Sequence, residues 1–186
     1  STTKYLNGHH DMLGGAVLGT RTFVDEATQR MIVWGQAADP FACWLLERGL
    51  KTLHVRVERA CANAQALAEW CARHPRIARV HYPGLPSHPD HALAGQLMDG
   101  YGAMLAIELA GGAEAAGDFV RRLRLVLHAT SLGGVDTLVC EPRFTSHAAM
   151  TPAQRAAIGI PDGFLRLSVG IEDVRDLIAD LEQALA

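Results

Sequence analysis

The chain has 186 residues, with 17 Lys or Arg against 20 Asp or Glu and a formal net charge of −3. Hydrophobic residues make up 49% and charged residues 20%, which excludes a disordered, collagenous or disulfide-scaffold chain. No basic field is available to hold a phosphate backbone, so nucleic acid is excluded as an expected partner.

In chain order, the first 36 residues read as short apolar pieces broken by glycine, at 13–19 and 23–34. Asp39-Pro40 predicts a helix start, with Asp as the cap and Pro in the first turn. That helix is expected to stop at Gly49. A longer helix is predicted over 52–73. Leu53, Val57, Cys61, Ala64, Leu67 and Cys71 share one of its faces, and His74-Pro75 ends it. Beyond Pro75, short strands alternate with helices. Strands are predicted at 77–82, 104–109, 125–130 and 164–169, and helices at 89–98 and 113–124. Thr151-Pro152-Ala153-Gln154 is a capping box opening a further helix. Val174, Leu177, Ile178, Leu181 and Leu185 share a face of the last helix. These elements predict a small α+β unit, its helices on one face of a mostly antiparallel sheet. A domain division is expected near residue 72, giving 1–72 and 73–186.

Cys43, Cys61, Cys71 and Cys140 form no CxxC pair and are expected to be buried free thiols. No apolar run approaches the roughly 18 residues that span a bilayer. The opening Ser1-Thr2-Thr3-Lys4-Tyr5 lacks the apolar stretch of a signal peptide. A cytoplasmic protein, away from membranes, is the expectation.

Four groups of residues could carry chemistry. Lys4 stands in Ser1-Thr2-Thr3-Lys4-Tyr5, with two hydroxyls beside it. Hydroxyls suit a phosphate, and the amine can form an imine with an aldehyde; a solvated lysine near a terminus is the alternative. Arg166 falls on the strand face opposite Leu165, Leu167 and Val169, with Phe164 and Ser168. A guanidinium there needs an anion, either a substrate carboxylate held in two-point fashion or an internal Asp or Glu. Ser131-Leu132-Gly133-Gly134 either brings backbone N–H groups to a ligand or is a plain loop. His88 and His91 have the spacing of a metal pair but lack a third ligand, so no metal is expected.

Together these segments resemble the C-terminal half of the Cys/Met-metabolism enzymes that use pyridoxal 5′-phosphate (PLP), from Ser1 to Ala186. The resemblance lies in Ser1-x-Thr3-Lys4-Tyr5-x-x-Gly8-His9-x-Asp11, Pro40-Phe41, Arg48-Gly49-Leu50-Lys51-Thr52-Leu53 and His74-Pro75. It continues in Tyr82-Pro83-Gly84-Leu85, Ser87-His88-Pro89-x-His91, Ser131-Leu132-Gly133-Gly134 and Arg166-Leu167-Ser168-Val169-Gly170-Ile171-Glu172-Asp173. It implies an α/β chain of PLP-dependent transferase fold type I (aspartate-aminotransferase-like). Residues 1–72 would end the large PLP-binding domain, and residues 73–186 would form the small C-terminal α+β domain.

The resemblance also implies roles. Lys4 would be catalytic, joining the cofactor and then moving protons. Ser1, Thr3 and Lys4 would bind PLP, while Arg166 and the backbone around Ser131 would bind the substrate carboxylate. The implied activity is γ-replacement or γ-elimination on a sulfur amino acid or an O-acylhomoserine, of cystathionine γ-synthase or γ-lyase type. An O-acylhomoserine sulfhydrylase or a methionine γ-lyase is the alternative within the family. Outside it stands a non-catalytic C-terminal half that only folds and self-associates. A homo-oligomer is implied, a tetramer built as a dimer of dimers. The family's glycine loop, ring-stacking aromatic and pyridine-pairing aspartate lie upstream of its lysine, so activity is expected to need that half. His10 stands where a small residue is usual, Ala42-Cys43 where Asp-Ala is common, and Asp136 where Glu is frequent. Leu132, in place of the tryptophan of bacterial β-lyases, and Gly134-Val135-Asp136 favour the γ-synthase and γ-lyase group.

Overall fold

A computed structural model describes residues 1–186. The chain divides into two compact units, Ser1–Leu53 and His54–Ala186.

The first unit opens with a π-helical turn, Thr2–Leu6, broken at Lys4 (φ −91°, ψ −126°). Helix α1 follows at Arg21–Trp34, where only a broken apolar stretch was expected. Thr20 caps it by accepting the Phe23 N–H at 3.4 Å, and Gly35 closes it in the left-handed region at φ 70°. No residue of α1 is buried, so it lacks the inward stripe that betrays a helix in a sequence. Helix α2 spans Pro40–Leu50, and the Asp39 carboxylate accepts the Phe41 and Ala42 N–H groups at 2.9 and 3.1 Å. Gly49 does not stop it. That glycine stays helical and buried, and a Cβ there would stand 2.4 Å from the Asn7 carbonyl oxygen. Its role is close packing rather than a left-handed ending.

Helix α3 spans Leu53–Cys71 and buries Arg56, Ala60, Asn63, Ala64, Leu67, Ala68 and Cys71. The predicted face holds from Ala64 onward, while Leu53, Val57 and Cys61 are only half-buried. The unit boundary thus falls at the start of this helix, and the division expected near 72 lies at its far end. The second unit continues with β1 (Ile77–His81), α4 (His91–Leu97), β2 (Met104–Leu109), α5 (Gly112–Arg122), β3 (Leu127–His128), β4 (Leu138–Cys140), α6 (Pro152–Ala157), β5 (Phe164–Ser168) and α7 (Val174–Leu185). The sheet order is β1-β2-β5-β4-β3. Every pair is antiparallel except β3 with β4. The Thr151 capping box forms as expected.

Register sorts the two sheet faces. Leu105 opposes Leu167, and Ile107 opposes Leu165. These four are buried, as are Phe119 of α5 and Leu177 and Leu181 of α7. On the other face Arg166 stands between Ala106 and Cys140, with Ser168 opposite Met104 and Leu138. Strand β4, unforeseen, is three buried residues long, too short to show a period of two.

The strand predicted at 125–130 shrinks to two residues for a visible reason. The N–H groups of Arg124, Leu125 and Val126 donate to the Asp180 carboxylate of α7 at 2.8, 2.9 and 2.9 Å. Burial opposes ionisation of Asp180, but these N–H donors and Gln183 outweigh it and hold the carboxyl below its ordinary range. Asp180→Ala would leave three amide donors without their acceptor and is expected to cost about 3 kcal/mol. Because the folded value is depressed, this stabilisation is present above the unfolded value of about 3.9. It is lost as pH falls through the folded value. Urea unfolding at pH 7 and pH 3 checks both points: an Asp180→Ala midpoint equal to wild type at pH 7 would contradict them.

All four cysteines are free. Cys71 and Cys140 are buried as expected, and burial pushes the Cys71 thiol up to about 12. Cys61 is half-buried and Cys43 exposed, so burial was wrong for Cys43, whose helix α2 keeps only Gly49 buried. No helix is long and apolar enough to cross a membrane.

Candidate active site

Two clusters carry the chemistry-bearing side chains, one in each unit. Around Lys4, a backbone return holds the motif together. The Thr2 N–H donates to the Gly14 carbonyl at 3.0 Å, and the Gly14 N–H donates to the Thr3 hydroxyl at 2.9 Å. The Gly8 N–H donates to the Lys4 carbonyl at 2.8 Å, with Gly8 itself at φ 75°. Asn7, buried, donates from Nδ2 to Asp11 at 2.7 Å, and its carbonyl accepts from His9 Nδ1 at 2.7 Å. Several motif residues therefore build the turn rather than reach outward. His10 adopts φ 57°. That left-handed region is one that histidine enters more readily than most residues with a Cβ. Ser1 is exposed, and Thr3 and Lys4 are half-buried. An amine and two hydroxyls within four residues can join an aldehyde and donate to a phosphate.

Arg166 supplies the second cluster. It forms no ion pair with an Asp or Glu, so the internal-carboxylate alternative is not realised. Its Nη2 donates to the carbonyls of Thr130 and Ser131 at 2.7 and 3.1 Å. Its Nε is buried with no hydrogen-bond partner. An unsatisfied buried donor on a charged group is costly, and an incoming carboxylate would satisfy it.

The loop 131–134 works differently from the reading of its glycines as a ligand cradle. Gly133, at φ 75°, donates its N–H to the Ser168 hydroxyl at 2.9 Å. That N–H faces the protein, and Ser131 contributes a carbonyl that orients the arginine. The loop's far end is fixed as well. Glu172 accepts the Thr137 N–H at 2.6 Å and its hydroxyl at 2.7 Å. The Gly170 N–H donates to Thr137 Oγ1 at 2.9 Å, and Asn63 Nδ2 donates to the Gly170 and Glu172 carbonyls at 3.1 and 2.8 Å. Thr137, Glu172 and Asn63 were not singled out from sequence. Ser168 carried a signal: it lies two residues beyond Arg166, on the same strand face.

The histidines near the 83–91 turn go separate ways. His81 Nε2 lies 2.5 Å from the Glu108 carboxylate, His88 Nδ1 accepts the Asp90 N–H at 3.1 Å, and His91 Nδ1 donates to the Pro83 carbonyl at 2.7 Å. No group of three or more His, Cys, Asp or Glu is arranged to hold a metal ion.

Comparison with known proteins identifies the family. The family described as "Cys/Met metabolism PLP-dependent enzyme" matches residues 1–186. A cystathionine beta-lyase of Coxiella burnetii is 46% identical over all of this chain and 48% of its own length. An L-methionine gamma-lyase of Pseudomonas putida is 46% identical over all of this chain and 47% of its own. A solved cystathionine gamma synthase of Xanthomonas oryzae pv. oryzae, in complex with cystathionine, superposes with a TM-score of 0.92 at 45% identity. It is matched over all of this chain and 48% of its own. The chain thus spans about half the length of these relatives.

Proposed function

Because the chain belongs to the Cys/Met metabolism PLP-dependent enzymes, we propose that it supplies the cofactor lysine and the substrate-carboxylate arginine of a transsulfuration enzyme. The proposed reaction is γ-replacement or γ-elimination on a sulfur amino acid or an O-acylhomoserine. The observation that carries this reading is Arg166, with its buried, unpartnered Nε and two carbonyls fixing its Nη2.

PLP, when bound, supplies an electron sink for charge developing on the substrate. Lys4 offers the amine for covalent attachment, and the same amine then accepts and returns protons at the substrate's Cα and Cβ. It does so only when neutral, since an ammonium has no lone pair. The Ser1 and Thr3 hydroxyls would donate to the phosphate, Thr3 giving up its 3.3 Å bond to the Gly14 carbonyl. Arg166, with Ser131 beside it, grips the carboxylate from two points and turns the bond to be broken toward the chemistry. Self-association as a tetramer belongs to the same proposal. It is supported by the apolar surface of the first unit, where Leu13, Leu18, Val33 and Trp34 are each more than three-quarters exposed.

The test is a substrate panel on the complete enzyme, scored for cystathionine, 2-oxobutanoate and sulfide. At least one of these is expected from cystathionine, methionine or an O-acylhomoserine with cysteine. A PLP-loaded enzyme yielding none of them would overturn the reading and favour a non-catalytic role.

A further inference from the structure

Resting on the reading of Arg166 as the carboxylate grip, we infer that Ser168 is a positioning residue for that grip, acting through the loop that carries Thr130 and Ser131. The guanidinium is aimed by two backbone carbonyls rather than by side chains. Backbone carbonyls are only as well placed as the loop that carries them. Three residues along, that loop is tied down by the Gly133 N–H bond to Ser168 Oγ at 2.9 Å. Gly133 takes φ 75°, a left-handed backbone that glycine adopts without penalty, and its N–H meets this hydroxyl. Ser168 is 1% exposed, so the bond is shielded from bulk solvent. It leaves the same strand on the same face as Arg166, two residues on. Strand β5 therefore holds both the arginine and the anchor of the loop that aims it. The far side of the glycines is anchored separately, by the Ile171 N–H on the Val135 carbonyl at 2.9 Å and by Thr137 on Glu172 and Gly170. Without Ser168, the segment from Thr130 to Gly134 loses its tether at Gly133.

The experiment uses the complete PLP-loaded enzyme with Ser168→Ala, Arg166→Lys and the double variant. Ser168→Ala is expected to raise KM for the amino-acid substrate about five- to tenfold, the worth of one buried hydrogen bond, with kcat nearly unchanged. In the Arg166→Lys background the same change should add little, because there is no longer a guanidinium to aim. Hydrogen exchange provides a readout apart from turnover: the peptide covering 130–137 should exchange faster in Ser168→Ala, and that covering 104–109 should not. An unchanged KM in Ser168→Ala, or an equal rise in both backgrounds, overturns the inference and leaves Ser168 a residue of the fold. If Arg166→Lys alone leaves KM unchanged, the reading of Arg166 fails first and this inference fails with it.

Discussion

Replacing Lys4 with alanine in the complete enzyme is expected to lower turnover by more than about 10⁴-fold, since one side chain serves as both covalent anchor and proton carrier. The expectation starts from an amine set beside the Ser1 and Thr3 hydroxyls, at the break of a π-helical turn where the backbone leaves helical geometry. The neighbouring bonds, from the Gly14 N–H to the Thr3 hydroxyl and from the Gly8 N–H to the Lys4 carbonyl, do not use the amine. Circular dichroism of the variant should match the wild type, which separates loss of function from loss of fold. Two spectroscopic readings check this. The wild type should absorb visible light with bound cofactor, and borohydride should trap the cofactor on the peptide containing Lys4. The Lys4→Ala enzyme should do neither. A variant that kept both the absorbance and the activity would sink the assignment.

The second large effect is expected at Arg166. Lysine keeps the charge but not the planar two-point grip. It also cannot satisfy the Thr130 and Ser131 carbonyls while reaching a ligand. Arg166→Lys is expected to lose about 3 kcal/mol of transition-state binding, roughly a hundredfold in kcat/KM. The loss should appear for carboxylate substrates and largely vanish for the corresponding carboxamides, which carry no charge to pair. Stability should fall by no more than about 2 kcal/mol, the worth of the two carbonyl bonds that the guanidinium gives up. An unchanged kcat/KM would show that the arginine is held for the fold alone.

Where a local signal was strong, the sequence was enough. Asp39-Pro40 capped α2, Thr151 and Gln154 formed their box, and the alternation around Arg166 placed it opposite Leu165 and Leu167. These signals act over one turn or one strand, where chain geometry determines which side chains can meet. The order of motifs from Lys4 to Asp173 carried the family in the same way, since the residues of each motif lie together in the chain.

What the tertiary structure decided was the partner of each group. Helix α1 buries nothing, so no periodic stripe announces it. Gly49 looked like a helix ending, yet it is small because the Asn7 carbonyl lies against it. The strand after α5 was cut short by a carboxylate from α7, more than fifty residues later. Gly133 donates its N–H to Ser168 and not to a ligand, and Arg166 meets two carbonyls and no carboxylate. In every case but that of α1, the deciding contact joins residues far apart in the chain. A hydrogen bond or a close approach between such residues is a property of the packed molecule, and local composition carries no trace of it.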